Sequence, residues 1–247
     1  MVMDDQALFL EKITHIFIGT HDFRQLARQV VDLIVRELKD QNIVTAAIGR
    51  LHEKDKLVYA YAYSTKYRQM IDKLLPSRFS ELNVALSRTD NLAVRTILTN
   101  QMQQSRRMAD FSRGMVPDAL VDRIQKIMGG KLTLTFPIRV HSGKPAGGLM
   151  LVLKDDKLTG GQMILFETLA KQVGLAFSNV FEFEKLMAKY QNLTAQLAKA
   201  VKEEDIPSVK FTLRITPKEN QNLERIGRER GKTKAEILRA FLDQIEP

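Results

Sequence analysis

The chain contains no cysteine and no tryptophan among its 247 residues. Without cysteine it can form no disulfide, bind no metal through a thiolate and use no cysteine nucleophile. It also lacks an apolar run near the roughly 20 residues that a membrane-spanning helix needs. Its first residues are charged and interrupted, unlike a signal peptide. We therefore expect a cytoplasmic protein that has no membrane partner.

Recognisable catalytic motifs are also missing. The four histidines lie far apart and do not have the spacing of metal ligands; they are His15, His21, His52 and His141. There is no Gly-x-Ser-x-Gly nucleophile turn, and the acidic residues form no pair that can be singled out. We therefore predict no catalytic residue, no metal site and no cofactor, and a protein that is not an enzyme.

Positive charge is in excess, with a formal net charge of +9 at pH 7. Such a balance favours an anionic partner, although many soluble proteins share it. Three basic residues, Arg106, Arg107 and Arg113, cluster in the segment 65–131. This cluster predicts either a surface for DNA or a phosphorylated ligand, or simply a solvated loop.

Helix and strand signals alternate along the first 180 residues and predict an α+β fold. Asp22 precedes apolar residues at helical spacing and is expected to cap a helix. Polar turns separate apolar segments at 43–51 and 57–64, and again at 131–140 and 148–153, which predicts two antiparallel hairpins. Further helices are predicted at about 5–18, 67–75, 93–101 and 117–128, and a short strand at 82–86.

This order resembles the GAF domain, a small-molecule sensor fold. The resemblance covers about 5–185 and rests on Phe136-Pro137-Ile138, on Gly147-Gly148-Leu149-Met150-Leu151, and on the helix at 166–179. It implies an antiparallel sheet with flanking helices and a sensory or dimerisation domain over 1–182. GAF domains often bind cyclic nucleotides, tetrapyrroles or small metabolites between the sheet and its covering helices.

The sequence departs from two specialised GAF types. A thioether-linked bilin is excluded because there is no cysteine, and the Asn-Lys-Phe-Asp-Glu cyclic-nucleotide signature is absent. Two alternatives stay open for the implied pocket. It holds an unidentified small molecule, or side chains fill it and the domain serves dimerisation or protein docking. No ligand-binding residue can be named from the sequence.

A long helix is predicted from Gln162 to about 203, because Thr159 and Gln162 form a capping box and no proline follows within it. Apolar residues at alternating spacings of three and four then predict a parallel coiled coil over 183–203. These residues are Phe183, Leu186, Tyr190, Leu193 and Leu197. A helix lying on its own domain would give a similar stripe. Residues 204–208, which contain Pro207, are predicted to be a linker.

The segment 209–247 carries a strand signal followed by two capped helices. Val209, Phe211, Leu213 and Ile215 alternate with Lys210, Thr212 and Arg214. This alternation predicts a strand with one buried face, which would pair with the same strand of a second copy. Capping boxes at 216–219 and 233–236, with Gly231 between them, predict the two helices.

This pattern resembles the ribbon-helix-helix DNA-binding family of the Arc/CopG/MetJ type. The resemblance implies that Lys210, Thr212 and Arg214 contact DNA bases, a role that their side-chain chemistry suits. The start of the second helix would contact DNA phosphates through Lys232, Thr233 and Lys234. The implied dimer core consists of Phe211, Leu213, Ile215, Ile237 and Phe241.

The combined prediction is a homodimeric, sequence-specific DNA-binding regulator of transcription. Its partners would be double-stranded DNA and a second copy of the chain, with higher oligomers left open. A small molecule or a protein at the GAF-like domain would control it. The alternative is an oligomerisation or partner-binding protein, antitoxin-like or a scaffold, whose terminal module serves dimerisation.

Overall fold

The structure is a computed structural model that describes residue 12, residues 22–200 and residues 215–242. The chain divides into two compact units, Met1–Asn192 and Leu193–Pro247. In the first unit, the strands are β1 (Ile43–His52), β2 (Leu57–Ser64), β3 (Asn83–Ala85), β4 (Gln103–Ser105), β5 (Leu132–Arg139) and β6 (Pro145–Leu153).

The helices have the following bounds. They are α1 (Phe23–Glu37), α2 (Arg68–Leu74), α3 (Leu92–Thr99), α4 (Ala109–Ser112), α5 (Asp118–Met128), α6 (Gly160–Ala200), α7 (Pro217–Arg230) and α8 (Lys234–Leu242). Short 3-10 helices occupy Lys39–Gln41 and Phe79–Glu81.

The six strands form one sheet in the order β3-β2-β1-β6-β5-β4, and every neighbouring pair is antiparallel. Period-two alternation sends successive side chains of a strand to opposite faces of the sheet. Along β5, Leu134, Phe136 and Ile138 pack with residues of α1 and α6 in the main core. Thr133 and Thr135 therefore face the opposite side, which α2, α4 and α5 cover.

Both predicted hairpins are confirmed, because β1 pairs with β2 and β5 with β6. The cap of α1 is also confirmed, since an Asp22 carboxylate oxygen accepts the Gln25 backbone N–H at 2.7 Å. At the start of α6, Thr159 and Gln162 bond reciprocally at 3.0 and 3.2 Å. The predicted helix at 5–18 lies outside the described residues.

The segment 65–131 was only partly predicted. Its longer helices and β3 agree with the pattern to within one or two residues. The sequence prediction missed β4 and α4, which have three and four residues. Elements this short show no periodicity, and β4 forms because it pairs with β5.

Candidate ligand cavity and the predicted DNA-contacting residues

A cavity lies on the face of the sheet that α2, α4 and α5 cover. Its floor consists of small residues on three adjacent strands: Thr45, Ala47 and Gly49 on β1, Ala60 on β2 and Gly148 on β6. The register places Gly49 opposite both Gly148 and Ala60. Because these side chains are short, the covering helices leave a space of about 130 Å3 above the strands.

The walls of the cavity are almost entirely apolar. Four methionines contribute to the lining, namely Met108, Met115, Met128 and Met150. Methionine is unbranched and polarisable, so it adapts to contents of different shape. The remaining wall residues include Ile71, Phe79, Phe111, Val121 and Ile124.

Thr135 is one of the few polar residues in this mostly apolar lining. Its side chain is 1% exposed, and its hydroxyl has no hydrogen-bond partner among the described residues. Leaving a buried hydroxyl unpaired costs about 1–3 kcal/mol. The Thr133 hydroxyl is likewise buried and unpartnered, but Thr133 does not line the cavity. Thr45 differs from both, because its hydroxyl donates to the Met128 sulfur at 3.1 Å.

Tyr63 closes one side of the cavity with a fixed hydrogen bond. Its hydroxyl donates to a carboxylate oxygen of Asp72 at 2.5 Å. Burial, followed by this bond to Asp72, raises the pKa of Tyr63 far above its usual value of 10.0. Tyr63 is therefore a protonated donor committed to Asp72 at physiological pH, and among the buried hydroxyls of the described lining only that of Thr135 lacks a hydrogen-bond partner.

The sequence carried one signal for this site that was missed. Threonines alternate with large apolar residues along β5 at positions 133 and 135. Alternating threonines in a strand predicted to be buried indicate hydroxyls on one of its faces. Nothing in the sequence indicates that Gly148 and Gly49 lie side by side.

The predicted arginine cluster is occupied by internal ion pairs. Arg107 contacts Asp122 at 2.8 Å and Arg113 contacts Asp110 at 2.8 Å. The first pair connects the residues just before α4 to α5, and the second joins Arg113 to the preceding turn in α4. The cluster therefore holds a surface region together, and only Arg106 makes no ion pair within the part of the chain that the structure describes.

The described ranges hold no group of three or more histidine, aspartate or glutamate side chains arranged to bind a metal ion. Within those ranges, no helix combines the length and apolarity required to traverse a bilayer.

The second unit contains the two predicted helices with their predicted caps. The Thr216 hydroxyl accepts the Glu219 backbone N–H at 3.3 Å, and a Glu219 carboxylate oxygen accepts the Thr216 N–H at 2.7 Å. Gly231 ends α7 with a positive φ of 60°, as the pattern predicts. Thr233 and Glu236 form the second box at 2.7 and 3.2 Å.

The predicted DNA-contacting strand lies outside the described residues. This applies to Lys210, Thr212 and Arg214, and to Phe211 and Leu213 of the implied dimer core. The side chain of Phe241 lies outside them as well. Ile215 is described, is half-buried and belongs to no strand. Ile237 is 3% exposed and so is buried within a single chain.

The three predicted phosphate contacts have different surroundings. Lys232 is exposed. The Thr233 hydroxyl donates to a Glu236 carboxylate oxygen at 2.7 Å. The Lys234 ammonium donates to Glu224 and to Asn220, so binding of Lys234 to a phosphate requires it to leave these partners.

The predicted coiled-coil segment is part of the continuous helix α6. Phe183, Leu186 and Tyr190 are half-buried within the single chain. Leu193 is 41% exposed, and the side chain of Leu197 lies outside the described residues. Leu193 is thus available for pairing with a second copy, and the coiled coil stays a prediction.

Comparison with known proteins identifies the fold of the first unit. No protein-family model matches the sequence, and no curated protein matches it. Among solved structures, the GAF domain of a Coxiella burnetii phosphoenolpyruvate-protein phosphotransferase has a TM-score of 0.53 and 12% identity, covering 73% of this chain and 97% of that chain. The corresponding Acinetobacter domain has a TM-score of 0.52 and 14% identity, covering 83% and 100%.

A third similar structure is the phycoerythrobilin-bound GAF domain from a cyanobacterial phytochrome. It has a TM-score of 0.50 and 15% identity, and the match covers 72% of this chain and 97% of that chain. Likeness at such low identity shows the fold alone. The chain therefore contains a GAF-domain fold, and the expectation of an antiparallel sheet with flanking helices is confirmed.

Proposed function

We propose that this chain is a regulator of transcription whose GAF-fold unit senses a small, mostly apolar ligand and whose C-terminal unit binds DNA as a homodimer. The observation that carries the sensory part is the unpartnered Thr135 hydroxyl, buried in the wall of an apolar cavity. A ligand with one hydrogen-bonding group would satisfy this hydroxyl and recover its desolvation cost.

The cavity also limits the class of ligand. An apolar cavity of about 150 Å3 in another protein binds benzene, so a space of about 130 Å3 suits a body of one aromatic ring or similar bulk. One structural neighbour carries phycoerythrobilin, which supports a ligand role for the fold. A bilin linked through cysteine is excluded here because the chain has no cysteine.

Titration of the full chain with phenol and with toluene tests the sensory role. The two probes have similar shape, and only phenol has a hydroxyl that can pair with Thr135. Binding would be followed by the NMR signals of the methyl groups of the cavity methionines. We expect phenol to bind about threefold to tenfold more tightly than toluene, as a neutral hydrogen bond allows.

Thr135→Val should remove the preference for phenol, and Thr133→Val is the matched control. Both substitutions delete a buried, unpartnered hydroxyl, but only Thr135 lines the cavity. The sensory proposal fails if neither probe shifts the methionine signals, or if Thr133→Val abolishes the preference equally.

The DNA-binding part rests on the second unit and on charge. Two capped helices joined through Gly231 follow an alternating segment with Lys210, Thr212 and Arg214 on one side. The exposed Lys232 at the start of α8, and the net charge of +9, favour contact with phosphates. The paired strands would contact base edges, and the long α6 would connect sensor and DNA-binding unit.

Selection of genomic DNA fragments by the full chain at physiological salt tests this part, and a short palindromic motif is expected. Arg214→Ala should abolish specific binding and leave the dimer intact. Lys232→Ala should weaken binding to all sequences and reduce the salt dependence by about one counterion. If the Arg214→Ala protein binds the selected fragment with unchanged affinity, the proposed contact of Arg214 with DNA bases is wrong.

The alternative is that the terminal module serves dimerisation or protein binding. The pairing of Lys234 with Glu224 and Asn220 favours it, because that ammonium is already satisfied without DNA. Capture of a stoichiometric protein partner, together with no enriched DNA, would support this alternative.

A further inference from the structure

A second concave surface lies at the edge of the GAF-fold unit, outside the apolar cavity. It is an open cleft of about 610 Å3 between α1, β2, α2 and the segment 75–80. Four arginines line it, and we name it the arginine cleft after them: Arg24, Arg28, Arg68 and Arg78. Its volume falls within the range of about 300–1,000 Å3 that is typical of small-molecule sites.

Among the described residues, the arginine cleft carries more positive than negative charge. Asp72 is the only acidic residue among the described residues that line it, so four arginines and one carboxylate give these a formal charge of 4 − 1 = +3. Asp72 is already engaged by the Tyr63 hydroxyl at 2.5 Å and by Arg68 at 3.9 Å. Arg28 and Arg78 are exposed and form no ion pair within the described residues.

The walls of the arginine cleft combine these charges with apolar surface and hydroxyls. Tyr61, Leu75 and Phe79 provide flat apolar contacts, and Ser77 and Ser80 lie beside Arg78. The Arg24 guanidinium lies 5.8 Å from the centre of the Tyr61 ring. An anionic ligand with an organic body would contact both kinds of surface.

The chemistry of arginine selects among anions. A guanidinium presents paired N–H donors in a plane and so matches the oxygens of a phosphate group, often with two hydrogen bonds at once. Two linked phosphates carry about three negative charges near neutral pH. That charge equals the uncompensated charge of the arginine cleft.

We propose that the arginine cleft binds a small organic molecule that carries two linked phosphate groups. A concave site with apolar walls suits a small ligand better than the convex phosphate row of a DNA duplex. The bound molecule would sit against Tyr63, Leu75 and Phe79, which also line the apolar cavity. The arginine cleft would thus be a second ligand-binding site of the same unit. This proposal does not depend on whether the chain binds DNA.

Isothermal titration of the full chain with inorganic pyrophosphate tests the proposal, with inorganic phosphate as the comparison. We expect saturable binding of pyrophosphate and weaker binding of single phosphate. The double variant Arg28→Gln/Arg78→Gln should weaken pyrophosphate binding about tenfold for each arginine removed. Because both side chains are exposed and form no ion pair within the described residues, the thermal unfolding midpoint should stay unchanged.

The matched control is Arg95→Gln/Arg123→Gln, which removes the same charge from exposed positions on α3 and α5. It should bind pyrophosphate as the unaltered protein does. The proposal is overturned if the unaltered protein does not bind pyrophosphate at millimolar concentration, or if the control loses as much affinity. It is also overturned if the cleft variant loses DNA binding and keeps pyrophosphate binding, since the arginines would then belong to a DNA surface.

Discussion

The ion pair between Lys234 and Glu224 joins the first turn of α8 to the middle of α7. The hydrogen bond from Lys234, followed by its charge, holds the pKa of Glu224 below the usual value of 4.5. Both side chains are about two-fifths exposed, so solvent screens the pair and other anions can compete for the ammonium. A DNA phosphate is one such anion.

Glu224→Gln should tighten DNA binding a few-fold, because it weakens the hold on Lys234 and so makes that ammonium available to a phosphate. Glu229→Gln is the control, since it removes the same charge from the same helix and breaks only the pair with Arg225. Fluorescence anisotropy with a labelled duplex measures both. Equal tightening by the two variants would show that net charge alone is responsible.

The lowered pKa of Glu224 also predicts how acid affects α7 and α8. A carboxylate with a depressed folded-state pKa contributes stability above its unfolded-state pKa and loses it as the pH falls through the folded-state value. The helices should therefore lose stability below about pH 4.5. During acid titration, the helical circular dichroism signal should fall less steeply in the Glu224→Gln protein than in the unaltered protein. Identical profiles for the two proteins would contradict the prediction.

At the scale of elements, Gly174 allows α6 to lie directly on the sheet. A Cβ atom at this position would stand 2.1 Å from the backbone carbonyl oxygen of Arg139 at the end of β5. Next to it, the Ser178 hydroxyl donates to the Gly174 carbonyl and accepts the His141 backbone N–H, both at 2.9 Å. The glycine in this long helix is explained by close packing of backbone on backbone.

Gly174→Ala should lower the free energy of unfolding by about 2 kcal/mol or more, because the backbone must move apart to admit the methyl group. Within a helix, the same substitution normally stabilises by up to about 1 kcal/mol. Gly161→Ala is the control, since nothing lies within 4 Å of its added Cβ. Urea denaturation should give opposite signs for the two variants, and a stabilising Gly174→Ala would contradict the packing.

Arg50 joins β1 to α6. Its guanidinium lies 4.5 Å from the centre of the Phe23 ring and 4.2 Å from that of Phe181. It also contacts a Glu184 carboxylate oxygen at 3.0 Å. The side chain is only 21% exposed, so the contacts with the rings are largely shielded from water. Through these contacts, Arg50 links the sheet directly to the long helix.

Arg50→Met should cost about 2 kcal/mol of unfolding free energy, because it keeps an apolar stem and loses the cation between the rings. Glu184→Gln should cost less than about 1 kcal/mol, since the carboxylate is two-fifths exposed. Urea denaturation of both variants measures the difference. Equal losses would assign the stabilisation to the ion pair and contradict a dominant role for the rings.

At the scale of the whole molecule, the chain combines a GAF-fold unit with a separate C-terminal unit, and α6 runs out of the first. If the stripe at 183–203 pairs two copies, dimerisation does not depend on the strand at 209–215. The two functions of the proposed regulator would then be separable by cutting the chain between them.

Truncation after Pro207 should leave a folded dimer that has lost DNA binding. Circular dichroism should retain the cooperative unfolding of the GAF-fold unit, and sedimentation equilibrium should give twice the chain mass. Leu186→Glu/Leu193→Glu in the same truncated chain should give monomers, because charge at these positions opposes helix pairing. If the truncated protein is monomeric even without these substitutions, the contacts that form the dimer lie within 209–247.

Much of the first unit follows from local pattern. The hairpins at β1–β2 and β5–β6 follow from alternation and polar turns, and the starts of α1 and α6 follow from Asp22 and Thr159. The candidate site was not predictable in the same way. A cavity exists where side chains leave a space unfilled. The space above Gly49 and Gly148 is bounded by three strands and by the helices that cover them.

The amino-acid sequence by itself determined the longer elements of the first unit, the caps of the helices and the GAF-like order, because periodicity and capping depend on residues within a few positions of one another. The tertiary structure alone decided that Thr135 is buried without a partner among the described residues, that Arg107 pairs with Asp122, and that the four arginines of the arginine cleft converge. These outcomes depend on distances between residues far apart in the chain. Only the folded sheet and its covering helices set those distances.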